Sequence, residues 1–164
     1  MSDQQHTDPV PAELFDAGTD VDLHQNTAVS HRRDDIVILV AIAVGGSLGA
    51  AARYLIGETW PTPVGTFPVS TLAINVVGCV LIGVLMVLLT EGRISHRLLR
   101  PFLGIGVLGG FTTFSTYTVD IQRLVASAHA DIALLYLALT PISALLAVWV
   151  TATATRRLIN WRIQ

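Results

Sequence analysis

The chain has 164 residues, of which 52% are hydrophobic and 13% charged, and its mean hydropathy is +0.60; a water-soluble domain carries roughly 25% charged residues, so a soluble fold is ruled against. The net charge is −2, every basic residue is arginine, and no basic stripe with interleaved aromatics occurs, which leaves nucleic-acid binding without support. Cys79 is the single cysteine and lies in an apolar run, so neither an intrachain disulfide nor a zinc site is available, and a small apolar packing role is the simplest reading of it.

Residues 1–35 hold eight of the twelve acidic residues and few large apolar ones. Without a helical period, they read as an acidic, disordered extension rather than a secretory signal, which would need a basic start and an apolar stretch. The text changes at Ile36. From there to Gly57 an apolar run of about 22 residues would rise roughly 33 Å as a helix, enough to cross a hydrocarbon core of about 30 Å. A break rich in proline and glycine, residues 58–68, leads to a second span, Val69 to Leu89. A third runs from Leu98 to about Ala126 and a fourth from about Ile132 to Thr155. The expected fold class is therefore all-α, a polytopic membrane protein of four transmembrane helices over residues 36–157, with a short tail at 158–164.

Basic residues near helix ends favour the cytoplasm. Arg32, Arg33, Arg93, Arg97, Arg100, Arg156, Arg157 and Arg162 fall on one side and only Arg53 and Arg123 on the other, so both termini are expected inside.

The third span carries the chemistry. Gly109 and Gly110 are followed by four hydroxyls within five residues, Thr112, Thr113, Ser115 and Thr116, in a region where every backbone polar group must be satisfied internally. Two readings fit that spacing. Either the helix breaks and its freed carbonyls face protein or an ion, or small residues permit a tight crossing and the hydroxyls bond back to the previous turn.

Asn75 in the second span either ties helices together or offers its amide hydrogens to a passing solute. Arg53, behind Gly45, Gly46 and Gly49, either snorkels or supplies a positive potential at a pore mouth. The first, second and fourth spans have no acidic residue in their middle, which argues against a proton-coupled pump. Asp120, one turn before Arg123, reads as a surface ion pair. No Walker sequence, paired histidine or nucleophile with its base is present, so the chain does not read as an enzyme.

Three motifs, Gly45-Gly46-x-x-Gly49-Ala50-x-x-Arg53-Tyr54, Thr71-x-x-x-Asn75-x-x-Gly78 and Gly109-Gly110-Phe111-Thr112-Thr113-Phe114-Ser115-Thr116-Tyr117, resemble those of the CrcB/Fluc fluoride channels, in the same order on the first three spans. The resemblance implies a multi-pass protein of the bacterial plasma membrane and an antiparallel, dual-topology dimer with two fluoride pathways. It also implies a central sodium ion on the backbone carbonyls of Gly109 and Thr112. Phe114 and Tyr117 would be the pore rings and Asn75 the pore amide. Ser115 and Thr116 would add hydroxyls, and Arg53 would lie near the aqueous approach. Tyr117 stands where the family usually has phenylalanine. The arginine bias suggests a chain that inserts mainly one way and pairs with an oppositely oriented homologue. A small proton-coupled exporter and a non-conducting partner subunit are the competing expectations.

Overall fold

The computed structural model describes residues 17–91 and 97–161. Two units are distinguished, Met1–Val37 and Ile38–Gln164. Of the first, the helical backbone from Ala17 and the side chains of Arg33, Asp35, Ile36 and Val37 are described. Helix α1, Ala17–Thr59, thus starts ahead of the Ile36 boundary that composition suggests. Propagating an existing helix costs far less than nucleating one, so an apolar span readily extends into a polar flank.

In the second unit α1 is followed by α2, Val69–Thr90. A π-wound helix, Arg100–Leu108, runs into one α-helical turn, Gly109–Phe111, and together these form α3, residues 100–111. Then come α4, Ser115–Ala126, and α5, Ala130–Trp161. Four stretches are long and apolar enough to cross a membrane, Asp35–Thr59, Val69–Thr90, Arg100–Ala126 and Ala130–Trp161. Among the described residues there is no strand.

The chemistry of lipid explains why these sequences are helices. α2 is crowded with valine and isoleucine, which restrict side-chain rotamers and make indifferent helix formers in water. Where no water competes, a helix satisfies all its backbone groups within one segment, and that requirement outweighs propensity. Pro68 stands immediately before α2, and at the far end the Glu91 amide closes the last turn on the Val87 carbonyl.

α2 packs most extensively on α5. A core of Tyr117, Leu124, Ala133 and Tyr136 joins α4 to α5, with Phe67 of the α1–α2 loop and Leu72 against it. The α1–α3 crossing is closer still, because a Cβ on Gly49 would fall on the Val107 carbonyl and one on Gly110 on the Gly46 carbonyl. Only glycine lets two helix backbones meet there. That contact holds the end of α3, where the third span breaks, against α1.

The candidate permeation site at the helix break

The third span is broken, as one of the two sequence readings requires. The Thr112 amide still bonds the Leu108 carbonyl at 3.0 Å, but Thr112 itself is extended, with φ −73° and ψ 154°. Helix resumes only at Ser115. Hydroxyls take over part of the lost ladder: Thr112 Oγ1 donates to the Leu108 carbonyl at 2.9 Å, and the Thr116 amide donates to Thr113 Oγ1 at 3.1 Å. The second reading, hydroxyls bonded back to the helix, therefore holds locally at Thr112 while the helix as a whole is interrupted.

Asn75 completes the repair from α2. Its Oδ1 accepts the Thr113 amide at 2.8 Å and its Nδ2 donates to the Thr113 carbonyl at 3.0 Å. A side-chain amide thereby stands in for a peptide group of the missing turn. One Nδ2 hydrogen is committed to Thr113, and the second is left for another acceptor. Gly78, one turn on, admits the break to α2, since a Cβ there would meet Thr112 Cγ2.

Arg53 is placed differently from a residue that snorkels away from the protein. Half-buried on α1, it donates from Nε to the Gly110 carbonyl at 3.1 Å and from Nη1 to Thr116 Oγ1 at 3.3 Å. Of the carbonyls released at the break, Gly110 is thus held by Arg53 and Thr113 by Asn75. Among the described residues no hydrogen bond reaches the carbonyl oxygens of Gly109 or Thr112.

Five of the expected site residues, Asn75, Gly109, Thr112, Phe114 and Tyr117, line one cavity of about 450 Å³, together with Cys79, Thr140 and Pro141. Cys79 is a free thiol there. Arg53 and Thr116 line a second cavity, of about 260 Å³, with Thr71 and Thr113. Ser115 lines neither; it is exposed, and its hydroxyl lies 3.2 Å from Thr113 Oγ1. Phe114 is 79% exposed, and its ring stands 5.5 Å, centroid to centroid, from that of the buried Tyr117. The aromatic series continues through Tyr136 at 5.2 Å and from there to Phe67 at 5.3 Å.

Asp120 is not the surface residue expected. Arg123 does pair with it, at 3.9 Å, but Asp120 is 7% exposed, and its Oδ2 accepts the Thr71 hydroxyl at 2.7 Å. The fully buried Tyr136 hydroxyl faces Thr71, Thr140 and Asp120, without hydrogen-bond geometry to any of them. Thr140 Oγ1 is likewise buried without a partner. Sequence reasoning missed Tyr136 and Thr140; the available signal was a tyrosine and a threonine one turn apart inside an apolar span. Buried hydroxyls with unused capacity are costly unless something else meets them.

Spanning helices around an interrupted third helix, with hydroxyls, an amide and aromatic rings converging at mid-span, define a polytopic α-helical membrane protein. The family model described as CrcB-like protein, Camphor Resistance (CrcB), matches residues 40–152, and the chain belongs to that family. The chain is 54% identical over 130 residues to the fluoride-specific ion channel FluC 1 of Streptomyces coelicolor, covering 79% of this chain and 84% of the relative. It is 53% identical over 130 residues to the fluoride-specific ion channel FluC 2 of Nocardia farcinica, covering 74% and 93%. A more distant relative, the fluoride-specific ion channel FluC of Saccharophagus degradans, is 37% identical over 124 residues, covering 76% and 93%.

Proposed function

We propose that this chain is a subunit of a fluoride-selective channel that lowers cytoplasmic fluoride by passive export. The observation that carries the reading is the cavity at the third-helix break that Asn75, Phe114, Tyr117 and Thr140 share. Fluoride is small and strongly hydrated, so it leaves water only for well-placed donors. The free Nδ2 hydrogen of Asn75 and the positive ring edges of Phe114 and Tyr117 are such donors, each too weak to hold the ion permanently.

No proton cycle is required. Hydrogen fluoride enters neutral and dissociates in the less acidic cytoplasm, and the inside-negative potential expels the anion with about 2.3 kcal/mol per 100 mV.

The working unit is an antiparallel dimer. Phe114 is 79% exposed on the single chain, and a pore ring needs a second wall. The Gly109 and Thr112 carbonyls, free of hydrogen bonds among the described residues, suit a hard cation such as sodium, which takes oxygen ligands. When bound, it would supply a fixed positive charge between the subunits.

The arginine bias favours one orientation per chain, hence a homologous partner inserted the other way. The test is fluoride efflux from liposomes with a potassium-selective ionophore present to collapse the potential. Rapid fluoride loss with chloride retained is expected when the chain is reconstituted with an oppositely oriented homologue. Equal efflux from this chain alone would make it a homodimer, and no efflux in either preparation would end the channel reading.

A further inference from the structure

Tyr117 carries a hydroxyl that a pore ring does not itself need, and the structure gives that hydroxyl a partner on a different helix. Pro141 lies inside α5. Proline has no amide hydrogen, so the carbonyl four residues earlier, that of Leu137, loses its helical donor. In lipid such an orphan has to be satisfied by a neighbour. The neighbour is Tyr117, whose hydroxyl donates to the Leu137 carbonyl at 2.7 Å.

We propose that Pro141 is a positioning residue for the pore: the carbonyl it releases anchors the Tyr117 hydroxyl and so fixes the second pore ring. The ring is then held at both ends, by its own backbone on α4 and by its hydroxyl on α5. That fixes its 50° tilt to Phe114 and its 53° tilt to Tyr136. Pro141 lines the same cavity as these two pore rings, so the anchor point is part of the cavity wall.

The consequence for selectivity follows from proton counting. A phenol has one hydrogen to donate, and here it is spent on Leu137. Tyr117 therefore presents ring edge, not hydroxyl, to the cavity, and serves the pathway as a phenylalanine would. Position 117 requires the hydroxyl because position 141 is proline, not because fluoride is bound by it. The functional half of this inference rests on the channel reading; the structural half does not.

The test is a cycle of Tyr117→Phe, Pro141→Ala and the double variant in the full-length protein. The melting temperature in detergent should fall by roughly 2–4 °C in Tyr117→Phe, the shift expected for one lost hydrogen bond. In the Pro141→Ala background, where an amide again reaches Leu137, the same change should cost less than half as much. Fluoride efflux should drop in Tyr117→Phe and return toward the wild-type rate in the double variant.

Equal thermal losses in both backgrounds would overturn the inference. So would a Pro141→Ala chain that cannot be recovered folded, or an efflux defect that persists undiminished in the double variant, which would make the hydroxyl a direct ligand of the ion. Absence of efflux from the wild type both alone and with an oppositely oriented homologue would sink the channel reading alone, because the thermal cycle needs no transport.

Discussion

Asn75 is the residue on which the break depends, because its amide replaces both backbone partners that Thr113 lacks. Alanine there would leave a half-buried amide and carbonyl unsatisfied, a loss of about 1–3 kcal/mol for such groups. The lower part of that range is expected, since a loosened helix in lipid finds other partners. Fluoride efflux in Asn75→Ala should fall about tenfold, the factor that corresponds to about 1.4 kcal/mol. Asn75→Asp keeps the acceptor for the Thr113 amide but loses the donor to its carbonyl, so its efflux should be no better. An Asn75→Ala channel with unaltered efflux and melting temperature would show that the break holds itself open without α2.

At the scale of elements, the third span positions the site and α1 positions the third span. Adding a methyl group at Gly49 would force the α1 backbone away from the Val107 carbonyl, an overpacking cost of about 1–3 kcal/mol. It would also draw Arg53 off the Gly110 carbonyl. Gly57 lies on the same helix with nothing within 4 Å of its Cβ position, so alanine there should be neutral or stabilising by about 0.5–1 kcal/mol. Thermal melts of Gly49→Ala and Gly57→Ala in detergent check the contrast, and similar losses at both positions would remove the crossing from the account.

These elements also mark where sequence reading ended. The four spans and the weak point at Gly109 and Gly110 were legible because lipid permits few backbone solutions, and long apolar runs announce them. The partner of Asn75 was not, since the pairing of residues 75 and 113 depends on how α2 crosses α3. Asp120 was misplaced for the same reason: its spacing to Arg123 is local and visible, whereas Thr71, which shelters it, arrives from another helix. Arg53 had a visible charge, and its hydrogen-bond partners lie far along the chain at Gly110 and Thr116.

For the whole molecule the charges give a specific expectation for orientation. Arg97, Arg100, Arg156 and Arg157 lie at one end of the spans, where Arg156 Nε approaches Glu91 Oε1 at 3.7 Å; Arg53 and Arg123 lie towards the other. Arg93 and Arg162, which add to the bias, lie outside the described residues. Positive charge close to a span resists translocation, so reporter fusions at the C-terminus should read cytoplasmic in most copies. A chain that inserts one way cannot supply both halves of an antiparallel dimer. Replacing Arg97, Arg100, Arg156 and Arg157 with glutamine should therefore move the reporter toward equal occupancy of both faces and give fluoride efflux to a chain that needed a partner before. If the wild-type reporter already divides equally, the chain is its own partner and the arginines do not set its orientation. If the reporter stays cytoplasmic after the four substitutions, removing Arg32, Arg33, Arg93 and Arg162 as well should release it, and a reporter still cytoplasmic then would end the local charge argument.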